Sequence, residues 1–223
     1  MLTPIEIAKM IDISVVRTHH TMSDIKEIVE YAKQYRFISV HVLPCWVKIL
    51  SEMLQDVDGV YVGSPVGFPS GGHKTETKIL EAKQLIEDGV QEMDIVMNVG
   101  RFKNKEYDYV LKELKEIIAL ADKNILIKVL IEINCLTDYE MEKACELVIE
   151  SEAGFLKTGT GWVLGNANIN KIKRIKEIVK DKVKIKAAGG IRNREEFLKL
   201  YDIGVERFGI NTKSAIEIVK SFE

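Results

Sequence analysis

Eight short β-branched runs, separated by stretches with helical apolar spacing, constrain this chain more than any other feature of it. The runs are 10-MIDISV-15, 38-ISVHVL-43, 59-GVYVGSPV-66, 92-EMDIVMN-98, 126-LIKVLIEI-133, 154-GFLKT-158, 183-VKIKAA-188 and 206-ERFGI-210. Between them lie apolar stripes such as Val110, Leu114, Ile117, Ile118 and Ala121, or Ile172, Ile175, Ile178 and Val179. Thr137 with Glu140, and Thr21 with Asp24, read as capping boxes that start two of these helices. Strands alternating with amphipathic helices specify a parallel sheet, because a parallel neighbour is reached only through a crossover, and the crossover helix covers the sheet face. Eight such units in 223 residues predict one α/β domain over residues 1–223, a closed (β/α)8 TIM barrel. The competing open, doubly wound sheet would favour a GxGxxG turn after the first strand, and the sequence has none there.

Composition removes several function classes. A net charge of −2, with basic residues dispersed along helix faces, offers nothing for nucleic acid or an anionic membrane to grip. No run approaches 18 apolar residues, and MLTPIEIAKM lacks the basic start and apolar core of a signal peptide, so a soluble cytoplasmic protein is expected. The cysteines Cys45, Cys135 and Cys145 form no CxxC and read as reduced thiols. His19, His20, His41 and His73 show no HxH or HxxxH spacing, so neither a metal nor another cofactor is expected. His41 has two readings, a residue lining the barrel mouth or a hydrogen-bonded core histidine.

Charges stand in the strands where a core should be. Residues of equal parity share a strand face, so Glu92 goes with Asp94, Lys128 with Glu132, and Lys184 with Lys186, while Lys157 stands near the end of its own strand. Helices cover the outer face, which sends all seven charges to the barrel interior or rim. An unpaired buried ion costs about several kcal/mol, so such groups persist as pairs or as a working site. Glu92, Lys128, Glu132 and Lys184 read as an ion-pair network low in the barrel. Asp94, Lys157 and Lys186 lie late in their strands, toward the face where barrels carry active sites.

A lysine becomes nucleophilic when desolvation or a neighbouring cation disfavours its ammonium form. Lys157 and Lys186, on successive strands, supply that arrangement. A neutral amine there attacks a carbonyl carbon to form a Schiff base, whose iminium accepts the electrons of a breaking C–C bond. Asp94 is placed to move protons, through Lys186 or a water. Thr158, Gly159, Thr160 and Gly161 follow Lys157 at once; Gly189, Gly190 and Arg192 follow the next strand; Gly209, Asn211 and Thr212 follow the last. Small polar loops after the late strands, near helix N-termini, are where barrels hold phosphate. A small phosphorylated sugar or aldehyde is the predicted substrate.

These residues resemble the deoxyribose-phosphate aldolase family along nearly the whole chain: 11-IDIS-14, 40-VHVLP-44, 67-GFPSGGHKTETK-78, 92-EMDIVMNVG-100, 128-KVLIEI-133, 154-GFLKTGTG-161, 184-KIKAAGGIR-192 and 207-RFGINT-212. The resemblance implies a class I aldolase that cleaves 2-deoxy-D-ribose 5-phosphate to acetaldehyde and D-glyceraldehyde 3-phosphate. It implies that Lys157 forms the Schiff base, that Lys186 tunes its amine and joins the proton relay, and that Asp94 donates or accepts protons. It implies phosphate against Gly161, Gly189, Gly190, Arg192, Gly209, Asn211 and Thr212. Departures fall on substrate-facing positions. Ile13 and Ser14 follow Asp12 where the family has Asp-His-Thr or Asp-Leu-Thr, His41 replaces a frequent cysteine, and Gly159 replaces the serine of KTSTG. Asn211 and Thr212 replace Gly/Ala and Ser, and Trp162 stands either as pocket wall or as local packing. Asp12, His41, Lys128 and Trp162 are the further pocket candidates. A related lyase or transaldolase-like transferase on another phosphosugar and a non-catalytic sugar-phosphate sensor are the other readings, and a homodimer is the expected assembly.

Overall fold

The computed structural model describes residues 2–165 and 168–223. Among these, eight parallel strands close into a barrel in chain order: β1 (Ile11–Val15), β2 (Ser39–Val42), β3 (Tyr61–Val66), β4 (Glu92–Val96), β5 (Leu126–Leu130), β6 (Phe155–Lys157), β7 (Lys184–Ala188) and β8 (Arg207–Asn211). β8 pairs with β1, Gly209 opposite Asp12, and completes the ring. The α-helices are α1 (Pro4–Ala8), α2 (Met22–Tyr35), α3 (Val47–Leu54), α4 (Thr75–Glu87), α5 (Val99–Lys103), α6 (Tyr107–Ile118), α7 (Asp138–Glu150), α8 (Ile169–Val179), α9 (Arg194–Ile203) and α10 (Thr212–Lys220). All eight predicted runs are strands of this barrel. Both predicted capping boxes form: the Glu140 carboxylate accepts from the Thr137 N–H, and that of Asp24 from the Thr21 N–H.

Strand alternation explains where the apolar core sits. Ile13, Met93, Ile95, Val129, Leu156 and Ile185 face outward and are fully buried under the helices, whose stripes, Val110, Leu114 and Ile117 on α6 or Ile172, Ile175 and Val179 on α8, meet them. Each such side chain contributes about 1.5–3 kcal/mol on leaving water. Ala121, read as part of the α6 stripe, lies beyond that helix, which ends at Ile118. The opposite parity points inward, and there the buried charges gather: Asp12, Glu92, Asp94, Lys128, Lys186 and Arg207.

One further buried ion pair lies outside the barrel. Lys78 on α4 donates to Glu113 Oε1 on α6 at 2.6 Å and to the Val96 carbonyl at 2.9 Å, and Thr75 Oγ1 donates to Glu113 Oε2 at 2.9 Å. Lys78 and Glu113 are both buried. This pair ties two helices to the end of β4.

Candidate active site

Asp94, at the middle of β4, stands between two amines. Its Oδ2 accepts from Lys157 Nζ at 2.7 Å and from Lys186 Nζ at 2.9 Å. Lys157 and Lys186 are register partners on β6 and β7, so adjacent strands present both amines at one height. Beneath them the charges continue: Lys186 Nζ lies 2.6 Å from Asp12 Oδ2, off the line of a directed hydrogen bond but fully paired in charge. Arg207 donates to Asp12 at 2.9 Å and also to Glu92, and Lys128 donates to Glu92 at 2.5 Å. The contact between Asp94 and Lys157 is direct, where the sequence suggested a route through Lys186 or water.

Four cationic side chains, Lys128, Lys157, Lys186 and Arg207, therefore face three carboxylates, Asp12, Glu92 and Asp94. One proton too many sits in a site nearly closed to water, and the group that gives it up most readily is the one whose single carboxylate partner is shared, whereas Lys186, Lys128 and Arg207 each reach two or more. That group is Lys157. Burial drives its amine down from 10.5 to about 8; Asp94 pulls the other way, and Lys186 and Lys128 add to the fall. Lys186 goes the opposite way. Burial opposes its charge too, but Asp12 and Asp94 outweigh that and raise its pKa. Burial works against ionised Asp94 as well, yet Lys157, Lys186 and Lys128 hold it well below the usual carboxylate range. The arrangement thus separates a near-neutral amine, a fixed cation and a fixed anion within one hydrogen-bonded group.

His41 is buried on β2, its Nδ1 3.3 Å from Ser39 Oγ and its Nε2 3.4 Å from Asp94 Oδ1. It both lines the cavity and sits in the core. Burial lowers its pKa, as do Lys186 and Lys128, against the pull of Asp94, so the ring is neutral at pH 7. Its seat exists because Gly63, opposite it on β3, has no side chain: a Cβ there would lie 2.4–2.6 Å from the ring atoms. Asp12, His41 and Glu92 bring donor atoms within 4.8 Å of one another, a grouping that histidine spacing did not reveal. Their carboxylates already face Lys128, Lys186 and Arg207, which supply the neutralising charge.

Above the amines opens a cavity of about 380 Å³. Lys157, Lys186, Asp94, Asp12 and His41 form its floor, and Thr160, Gly161, Gly189, Gly190, Arg192, Gly209, Asn211 and Thr212 line one side. Gly189 and Gly190 are both left-handed, at φ +100° and +80°, a turn that only glycine makes without strain. Asn211 caps α10 by accepting from the Ser214 N–H, which leaves that helix N-terminus facing the same side.

Several sequence readings need correction. Thr158 is buried away from the cavity, donating to the Ala188 carbonyl at 3.2 Å and accepting from its N–H at 3.0 Å; alternation turns it outward from Lys157. Lys128 lies below the cavity, paired with Glu92. Glu132 is not in the low network. It lies past β5 and accepts from the Thr160 hydroxyl at 2.5 Å and N–H at 3.0 Å, holding the β6 loop. Lys184 is exposed, because inward parity at the first residue of β7 points out of the open lower end, where its Nζ lies 5.8 Å from the Phe155 ring. Trp162 stands at the rim, edge-on to Phe68 with ring centroids 5.6 Å apart.

With this geometry in view, comparison with known proteins decides the family. The model described as DeoC/LacD family aldolase matches residues 6–209. The chain belongs to the DeoC/LacD aldolase family. Among its relatives, the deoxyribose-phosphate aldolase of Rhizobium meliloti (strain 1021) is 43% identical over 98% of this chain and 88% of that protein. The solved structure of QR15, an aldolase, superposes with a TM-score of 0.91 at 35% identity, covering 97% of this chain and 95% of the other. The deoxyribose phosphate aldolase of Aeropyrum pernix, described as a unique tetramer, gives 0.90 at 25% identity over 99% and 92%.

Sequence reasoning missed some residues of this aldolase site. Arg207 shares parity with Gly209 and Asn211, both read as site residues, so alternation alone would have turned it inward. Arg17, His20 and Phe68 line the cavity from the loops after β1 and β3. Their one signal was position, just beyond the carboxyl ends of strands.

Proposed function

We propose that this aldolase cleaves 2-deoxy-D-ribose 5-phosphate to acetaldehyde and D-glyceraldehyde 3-phosphate, and catalyses the reverse condensation, through a Schiff base on Lys157. The observation that carries the reading is the Asp94 carboxylate shared by two lysine amines at 2.7 and 2.9 Å. Neutral Lys157 attacks the aldehyde carbon, and loss of water leaves an iminium. The C3 hydroxyl then gives up its proton, the C2–C3 bond breaks, and its electron pair flows into the iminium to leave an enamine. Protonation of that enamine at C2 and hydrolysis release acetaldehyde and restore the amine. The opposed pKa shifts assign the proton roles: Asp94, fixed as an anion, accepts, and Lys186, fixed as a cation, donates. Gly189, Gly190, Arg192 and the N-terminus of α10 take the phosphate. The aldolase names carried by its relatives support the same substrate.

We further place the chain in the cytoplasm as a single-domain protein over residues 1–223 that forms a homodimer. No helix among the described residues is long and apolar enough to cross a membrane, and Cys45, Cys135 and Cys145 are free thiols. Light scattering tests the assembly.

The function itself is tested by borohydride reduction in the presence of 2-deoxyribose 5-phosphate, intact-mass analysis and a coupled acetaldehyde assay. An adduct on Lys157 with free acetaldehyde is the expected result. An adduct without acetaldehyde makes the protein a transferase, and no adduct makes it a sensor.

A further inference from the structure

The guanidinium of Arg17 spans the mouth of the barrel. It stands two residues beyond β1, yet its Nη2 donates to the Gly161 carbonyl at 2.7 Å and its Cζ lies 5.1 Å from the Trp162 ring centroid, both in the loop after β6. Around the ring β8 and β7 separate these two strands. The side chain therefore reaches across the opening and lines the same cavity as Asn211 and Thr212 and as Gly189, Gly190 and Arg192. Arg101, Arg174 and Arg207 are each paired with carboxylates; Arg17, among the described residues, has none within ion-pair distance. A carbonyl and an aromatic face engage it instead. One of its five N–H donors is spent on Gly161, and its full charge is uncompensated.

The grip on Arg17 is itself braced. Trp162 packs edge-on against Phe68 from the β3 loop, and its backbone N–H donates to Thr160 Oγ1 at 3.0 Å, which Glu132 holds in turn. Loops from β1, β3 and β6 thus meet over the opening. A flexible arginine held by a ring and a carbonyl has already lost much of the freedom that binding would otherwise cost, and a cation–π contact keeps its charge available to an anion.

We propose that Arg17 is a second guanidinium for the phosphoryl group, opposite Arg192, and that Trp162 with the Gly161 carbonyl positions it; this rests on the reading that phosphate lies at the β7 and β8 loops. Arg17 would then set the preference for phosphorylated over unphosphorylated sugar. Two measurements test it. Calorimetric titration with inorganic phosphate, carried out in the Lys157→Met protein, is expected to show Arg17→Met weakening phosphate about tenfold to hundredfold, the loss of a charge-assisted pair. Arg17→Lys should recover only part of this, since an ammonium cannot fork. In the active enzyme the same change should lower the kcat/KM ratio of 2-deoxyribose 5-phosphate to 2-deoxyribose by a similar factor, the loss falling in KM. Equal losses on both sugars would make Arg17 a structural strap and overturn the proposal, as would a phosphate affinity within about twofold of the parent. Trp162→Ala should weaken phosphate several-fold and Trp162→Phe less; an unchanged affinity in Trp162→Ala removes the positioning role. The titration needs no Schiff base, so a failure of the aldolase chemistry would leave this result standing.

Discussion

Lys78 and Lys157 are both lifted out of water, both donate to a carboxylate, and both are lowered in pKa chiefly by burial. Their surroundings differ in two respects. Lys78 pairs with Glu113 one cation to one anion, donates also to the Val96 carbonyl, and lines no part of the cavity over Lys157 and Lys186. Lys157 shares Asp94 with Lys186 in a group that carries one cation too many, its side chain is 12% exposed, and a cavity opens over it. Desolvation alone makes a structural pair; a surplus proton and a route for a carbonyl are what the proposed nucleophile has in addition.

The largest consequence is for Lys157→Met. Turnover should fall about 10⁴-fold or more, because, of the two lysines that line the cavity, Lys157 has its pKa lowered to about 8 while that of Lys186 is raised. Stability should move the other way. A buried lysine lowered from 10.5 to about 8 binds its proton less tightly in the folded chain, so at pH 7 it destabilises the fold, and removing it should raise the melting temperature. Residual turnover above about 1% would move the nucleophile to Lys186.

Lys78→Met should do the reverse. It leaves Glu113 buried without its cation, which costs about 3–5 kcal/mol in denaturant unfolding, while kcat of the folded protein stays within about twofold. The double change Lys78→Met with Glu113→Leu should recover most of that loss. A drop in kcat at full folding would mean that this pair, too, communicates with the site.

The pH dependence separates the two lysines further. For the free enzyme kcat/KM should rise through about pH 8 as Lys157 loses its proton. Between pH 8 and 10.5 the unfolded lysine still binds a proton that the folded one has released. The sign of the linkage is therefore positive, and this group adds about 1.4 kcal/mol of stability per pH unit across that window. In Lys157→Met that component of the slope should vanish, whereas a slope unchanged from the parent would place the low-pKa amine elsewhere. On the acid side, stability that Asp94 contributes while ionised is lost as pH falls through its depressed folded value.

Much of this architecture was legible from alternation. Strand parity turned Asp94, Lys157 and Lys186 inward, and three small polar loops marked the side proposed for phosphate. Of the three charges read as late in their strands only Lys157 ends its strand, while Asp94 and Lys186 stand at the middle of β4 and β7. Parity gives a face but no height, which is why Lys184, of the same parity as Lys186, was read into the interior when it hangs out of the lower end. It also says nothing of partners. Arg207 and Asp12 meet only because β8 closes onto β1, a contact 195 residues apart in the chain. Lys78 and Glu113 sit among the polar residues of two helices, with no pattern to show that they bury each other. Arg17 and Phe68 lie in loops, where no periodicity exists to read.

Thr158 makes the finest test of that lesson, because the sequence placed it beside the phosphate and alternation places it behind Lys157. Its hydroxyl clasps both the N–H and the carbonyl of Ala188, joining β6 to β7 at the height of the two amines. Thr158→Val keeps the shape but leaves the Ala188 N–H without its partner, a loss of about 1–2 kcal/mol in unfolding free energy. KM for the phosphorylated sugar should stay within about twofold, since nothing facing the cavity has changed. Should KM instead climb tenfold with stability untouched, the side chain reaches the substrate after all. The outward parity of residue 158 would then be wrong, and with it the register that sets Lys157 against Lys186.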